Sequence, residues 1–225
     1  MKARLISYSQ TPTQTVGDLY VPEGINELVA YCARVSNPSN QESSATTEKL
    51  LSYLAREKHW SPFEMVSACL EIETTRDIAR QILRHRSFSF QEFSQRYADP
   101  DDMDNMFEYS EARLQDTKNR QNSIEVEDKQ LQLDWERAQR RIGVLARKEY
   151  DWAIRKGIAK EQARKVLPEG ITKSRMYVNG TLRSWIHFID LRSSNGTQKE
   201  HMVIARECAK VISKIYPSIV EYSHE

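Results

Sequence analysis

A chain of 225 residues can hold one large domain or two small ones, and 39% hydrophobic with 29% charged residues supports a core and excludes disorder throughout. The 33 Lys and Arg against 32 Asp and Glu leave a net charge of +1, without the basic surplus of a dedicated nucleic-acid binder. Cys32, Cys69 and Cys208 lie far apart with no CxxC spacing. That pattern points to reduced thiols in a cytoplasm, or a host cytoplasm if the source is viral, and not to a disulfide framework or zinc knuckle. The five histidines form no HxxxH or HExxH pair, so no metal site is expected. The first ten residues lack an apolar signal region, and no run reaches membrane-spanning length. There is no GxGxxG and no Walker A motif, so any nucleotide is held by something other than a glycine-rich loop.

Residues 3–8 alternate weakly and predict a first strand. Residues 11–24 carry two prolines and two glycines and read as a loop. A helix over 25–35 puts Ile25, Leu28, Val29 and Cys32 on one face. Residues 36–44 connect it to a second helix over about 45–58, striped by Leu50, Leu51 and Leu54. Pro62 cannot continue that helix and restricts Ser61, so His59 lies where it stops. Val66, Ala68, Leu70 and Ile72 alternate with polar neighbours and give the clearest strand, buried on one face. Thr74 or Thr75 caps the next helix, with Asp77 in its first turn. Residues 98–130 are irregular: an aspartate-rich turn at 99–104, then a basic-amide cluster at 113–123 that reads as a surface loop. A long helix over 128–156 carries Leu131, Trp135, Ala138, Ile142, Leu145 and Ala153 near a heptad stripe, and Gly157 stops it. Such a stripe suits a core or a subunit interface. A short helix over 160–167, a strand over 171–178 and a helix capped by Asn179 or Thr181 and running to Leu191 follow. The last predicted helix, 198–214, shows Val203, Ala205, Val211 and Ile215.

The stretch 81–97, QILRHRSFSFQEFSQRY, concentrates chemistry. A basic triplet, Arg84-His85-Arg86, ends an apolar helical run, and Phe88, Phe90, Phe93 and Tyr97 then alternate with Ser, Gln and Glu before and around Arg96. Arginine forks suit phosphate, hydroxyls and amides add neutral hydrogen bonds, and the rings supply flat apolar walls. Gln81 and Arg84 lie three apart and can face one ligand, as can Arg183 and His187, four apart. Two other readings compete. Cations at a helix end complement its dipole, with the aromatics as core. Basic residues interleaved with rings also grip single-stranded RNA.

The string Arg84-His85-Arg86, seven residues, Ser94, then Arg96 and Tyr97 resembles the RHR-x7-S signature of flavin-dependent thymidylate synthases. Further segments match in order: HWSPFE at 59–64, ARQ at 79–81, ARKVLP at 163–168 and RSWIHFIDLR at 183–192. The resemblance covers about residues 25–215 and implies an α+β fold, a mixed sheet with packed helices in a single domain, assembled as a homotetramer with sites shared between subunits. The 98–130 region resembles a loop insertion of some viral and bacterial members.

The implied reaction is reductive methylation of dUMP to dTMP, with methylenetetrahydrofolate as carbon donor, NADPH-reduced FAD as hydride donor, and no nucleic-acid polymer as partner. The resemblance assigns dUMP binding to Gln81, Ile82, Leu83, Arg84, Glu92, Phe93, Ser94, Gln95, Arg96, Arg164 and Arg192. It assigns FAD binding to Ser61, Arg84, His85, Arg86, Glu92, Thr181, Leu182, Arg183 and His187, with His59 and Tyr97 near the folate or flavin. Arg192 matches the family's activating arginine and would polarise the uracil by charge. No cysteine sits in an electropositive cluster, so no thiol nucleophile is expected. Neighbouring cations disfavour a charged His85, which is expected to be neutral. Gly196 and Met65 stand where other members can carry histidine, and Thr181 where many carry asparagine.

Overall fold

Alternation of apolar and polar residues builds one four-stranded sheet, in the order β1 (Lys2–Tyr8), β2 (Ser67–Thr75), β6 (Lys173–Thr181), β3 (Ser89–Glu92). The computed structural model describes residues 1–12, 20–100, 103 and 105–218. Parts of the loop expected at 11–24 and of the turn expected at 99–104 lie outside the described residues. All three pairings of this sheet are antiparallel, so the α+β class holds while the expected mixed sheet does not. The full register Ser67↔Thr181 to Thr75↔Lys173 makes β2 and β6 the central pair. Ala68, Leu70, Ile72 and Thr74 of β2 are buried. Glu71 on its other face is buried too, and accepts from Arg4 Nη2 at 3.0 Å. A central strand is therefore covered more completely than the expected one-sided burial.

Helices α1 (Ile25–Ala33), α2 (Thr47–Arg56), α3 (Arg76–Ile82), α6 (Leu182–Ser193) and α7 (Lys199–Ile212) contribute to the core built on this sheet. Trp185, Phe188, Ile186 and Ile189 of α6 meet Ile204, Ala205, Cys208 and Ile212 of α7 there. The buried face of α7 thus runs through His201, Ile204, Cys208 and Ile212, and Val203 is 40% exposed, a correction to the expected stripe. Thr181 is the residue that caps α6, its hydroxyl accepting from Ser184 N. Thr75 precedes α3 in extended conformation but makes no side-chain cap bond.

The basic-amide cluster is not a plain loop. It folds as a hairpin of β4 (Arg113–Gln115) and β5 (Ser123–Glu125), with Leu114 opposite Ile124. The Asp116 carboxylate stitches its turn, accepting from Lys118 N at 2.8 Å and Asn119 N at 3.1 Å. Arg113 and Lys199 pin the hairpin to the start of α7, through Arg113–Glu200 at 2.6 Å and Lys199–Glu111 at 2.7 Å.

The long helix α4 (Lys129–Arg155) starts at Asp128, whose carboxylate accepts from Gln130 N and Leu131 N. Its inner face is Gln139, Gly143, Ala146, Tyr150 and Ala153. Most of the expected stripe points outward: Trp135, Ile142 and Leu145 are 43%, 53% and 55% exposed, while Ala153 is buried. A short α5 (Lys160–Ala163) and a 3-10 turn at Arg164–Val166 follow.

Candidate active site

Beyond α3 the chain turns sharply, with Arg84 N donating to Gln81 O at 3.3 Å and His85 N to Ile82 O at 3.0 Å. Phe88 N then donates to His85 O at 3.3 Å, and Ser184 Oγ donates to Ser87 O at 3.1 Å. This turn divides the basic triplet. Arg84 and Arg86 stay exposed and, among the described residues, make no ion pair. His85 points inward, edge-on to Phe188 with ring centroids 5.0 Å apart. Arg192, from the last turn of α6, donates from Nε to His85 Nε2 at 2.9 Å. Burial first, then the charges of Arg192 and Arg84, pull the His85 pKa down to about 4. His85 is neutral, as expected, and its Nε2 lone pair is spent on Arg192. Burial and the nearby Arg84 charge also lower the Arg192 pKa, which leaves a guanidinium fully protonated at neutral pH.

Other residues assigned to the flavin or its vicinity lie at the start of α6 and before β2. Arg183 is ion-paired with Glu64, and His187 packs edge-on to Trp60 at 4.8 Å. Burial and Arg183 lower the His187 pKa. Ser61 is exposed on a 3-10 turn, and His59 lies edge-on to Tyr53 at 6.1 Å. Two assignments are narrowed. Leu182 is wholly buried with its N–H donating to Val66 O at 3.0 Å, and the Thr181 hydroxyl is occupied as a cap. Ile82 is likewise in the core and Leu83 packs against it, so the Ile82 side chain is not offered to a ligand.

A second cluster lies past the other end of β3. Ser94 Oγ accepts from Arg96 N at 3.4 Å, closing a turn that places Arg96 3.6 Å from Glu161 of α5. Arg164 sits one helical turn beyond Glu161, so Ser94, Arg96 and Arg164 converge on one neighbourhood. Tyr97 is 76% exposed. Phe93 N is spent on Arg175 O at 2.8 Å, so it is not free to serve a phosphate. The Glu92 carboxylate accepts from Ser174 Oγ at 2.8 Å and pairs with Arg76 at 3.6 Å, so it braces β3 against β6 and α3. Gln95 is 3% exposed, with its Nε2 buried and unpartnered.

Sequence reasoning missed Arg76, Gln198 and His201. Arg76 follows Thr75 directly and reads as an ordinary first-turn residue. His201 is legible only once the α7 stripe is phased correctly, because it then falls on the buried face.

A family model described as thymidylate synthase complementing protein matches residues 19–218. A probable flavin-dependent thymidylate synthase of Paramecium bursaria Chlorella virus 1 is 46% identical over 98% of both chains. A flavin-dependent thymidylate synthase of a Synechocystis species is 48% identical over 97% of both. The chain belongs to the flavin-dependent thymidylate synthase family. Among solved structures, a UMP/dUMP methylase of Streptomyces cacaoi bound with 5-Br dUMP superposes with a TM-score of 0.77 at 26% identity, covering 98% of this chain and 93% of that one. The family assignment leaves the RNA-binding reading without support. No described helix of the chain is long and apolar enough to cross a membrane. Gly196, where relatives were expected to carry histidine, has φ of +90°, a conformation that would strain any side chain there.

Proposed function

We propose that this chain methylates dUMP to dTMP, taking the one-carbon unit from methylenetetrahydrofolate at a site shared between subunits of a homotetramer in the cytoplasm. Family membership makes it a methyltransferase working with FAD. FAD, reduced by NADPH, supplies the hydride when bound. The observation that carries the reading is the Arg192–His85 pair flanked by the unpaired cations Arg84 and Arg86. Two exposed guanidiniums suit a pyrophosphate, and the neutral imidazole beside them adds no competing charge.

Arg192 is assigned the activating role. Its Nε–H is held by His85, so the terminal nitrogens are the ones turned to a substrate edge. A protonated guanidinium held this way stabilises negative charge developing on the uracil as C5 attacks the carbon donor, with no covalent bond to the protein. The cysteines are poor alternatives. Burial raises the pKa of Cys32, Cys69 and above all the fully buried Cys208. Ser94, Arg96 and Arg164 are assigned to the substrate phosphate. They lie beyond the far end of β3 from Arg192, with a strand of roughly 10 Å between. That separation, and the exposed stripe of α4, support a site in which one subunit supplies Gln81, Arg84 and Arg192 and its neighbour supplies the phosphate cluster.

The test is dTMP formation with and without added FAD, together with the flavin content of an Arg84→Ala, Arg86→Ala variant. The expected results are strict FAD dependence and a folded variant that has lost its flavin. Full flavin content in that folded variant would overturn the assignment of these arginines.

A further inference from the structure

His201 stands in the buried stripe of α7, fully inaccessible, between Phe188 at 5.7 Å and His85 at 6.3 Å between ring centroids. Its Nδ1 is 3.2 Å from Gln81 Oε1. Gln81 in turn donates from Nε2 to Gln198 Oε1 at 2.8 Å. These two bonds fix each other's sense. An amide that donates to Gln198 turns its oxygen to His201, so the His201 proton is on Nδ1. The His201 Nε2 is then an acceptor, and it is buried with no donor. Burial, the Arg192 charge and His85 pull the His201 pKa down to about 3, so the ring stays neutral.

An orphaned nitrogen is a penalty that an aliphatic side chain in the same stripe would avoid. What the imidazole adds is the one donor that reaches Gln81 from α7. With its oxygen held by His201 and one N–H held by Gln198, Gln81 keeps a single remaining N–H in a set direction. Gln81 leaves α3 just before the Arg84–Arg86 turn, on the side where His85 meets Arg192.

We propose that His201 is a positioning residue for the nucleotide site, locking the Gln81 amide against Gln198 so that it offers dUMP one fixed donor. This rests on the reading of Gln81 as a substrate contact. The clamp also runs across α3 and α7, joining residues 120 apart in sequence.

The experiment measures KM for dUMP, kcat, flavin content and melting temperature for His201→Leu, His201→Asn, Gln81→Ala and the His201→Leu, Gln81→Ala double variant. His201→Leu removes the donor and the orphaned nitrogen together, so its melting temperature holds or rises. The expected result is a KM for dUMP raised roughly 3- to 10-fold, the cost of re-ordering one freed side chain, with flavin content unchanged. His201→Asn places an amide N–H where Nδ1–H was and restores most of the affinity. Gln81→Ala raises KM at least as much, and the double variant is no worse than Gln81→Ala alone. Gln198→Leu, which removes the other anchor, gives the same KM signature and serves if His201→Leu does not fold. Wild-type KM in His201→Leu or Gln198→Leu while Gln81→Ala is impaired overturns the clamp alone. Wild-type KM in Gln81→Ala overturns the substrate reading of Gln81, and the clamp with it. Strict additivity in the double variant also overturns the clamp.

Discussion

Gly180 is where the sheet and the basic turn touch. A Cβ built there would lie 2.3 Å from Phe88 Cδ1, 2.5 Å from Cε1 and 3.3 Å from Ser184 Cβ. Carbon atoms pack best at about 3.5–4.0 Å, so Gly180→Ala asks the Phe88 ring to retreat by about 1 Å. There is little room. Phe88 is 8% exposed and is packed at 4.6 Å by Trp185 and 5.9 Å by Phe188. Overpacking of this kind costs about 1–3 kcal/mol. For a chain of this size each kcal/mol moves Tm by about 2–4 °C, so a fall of about 2–12 °C is expected in a thermal melt. A second effect follows from the backbone. Phe88 N is bonded to His85 O, so a displaced ring drags the Arg84–Arg86 turn, and flavin absorbance per chain falls with Tm. Adding Phe88→Leu relieves the overlap, and the double variant recovers part of the loss beyond the sum of the singles. A Gly180→Ala protein with unchanged Tm and full flavin content would refute this account of the contact.

Three further outcomes are expected. Arg192→Ala lowers kcat at saturating dUMP by about 10²–10³ with flavin retained, and Arg192→Lys recovers little because an ammonium lacks the planar fork; wild-type turnover with slightly lower stability would reduce Arg192 to a helix-end cation. Replacing Cys32, Cys69 and Cys208 together by alanine leaves measurable dTMP synthesis, and complete loss in a folded, FAD-loaded protein would restore a thiol mechanism. Stability falls as pH drops below about 6.5, because the unfolded chain then takes up protons that folded His85, with pKa about 4, and His201, about 3, refuse. Each histidine contributes a slope of up to about 1.4 kcal/mol per pH unit in that window, so His201→Leu flattens the Tm–pH curve between pH 6.5 and 5, and an unchanged slope would count against the buried neutral ring.

Long periodic elements were legible, and short or cooperative ones were not. β1, β2, β6, α1, α2, α4 and α6 appear near their expected bounds because each repeats a pattern over seven residues or more. The β4–β5 hairpin has three residues per strand, too few for alternation to register. Periodicity in α4 grouped Ala153 with Trp135, Ile142 and Leu145, yet Ala153 is buried while the other three are exposed. In the site, the neutral state of His85 followed from its neighbours in sequence, yet its largest cause is burial and the second is Arg192, 107 residues away. The split of the triplet, with His85 inward and Arg84 and Arg86 outward, depends on a turn that the sequence does not spell out. The Gln81–His201–Gln198 contacts join α3 to the start of α7, and no local signal announces them.

The strand order has a consequence for how the chain is made. Among the described residues β3 pairs only with β6, and β6 begins about 80 residues later in the sequence. At a synthesis rate of about 5–20 residues per second, the segment bearing Phe88, Phe90 and the basic turn leaves the ribosome on the order of 4–16 s before its partner strand exists. α6 and α7, which bring Arg192 and His201, emerge later still. During that interval an aromatic edge strand is exposed on the nascent chain, and a truncated product ending before β6 would carry the family's signature motif with no site around it.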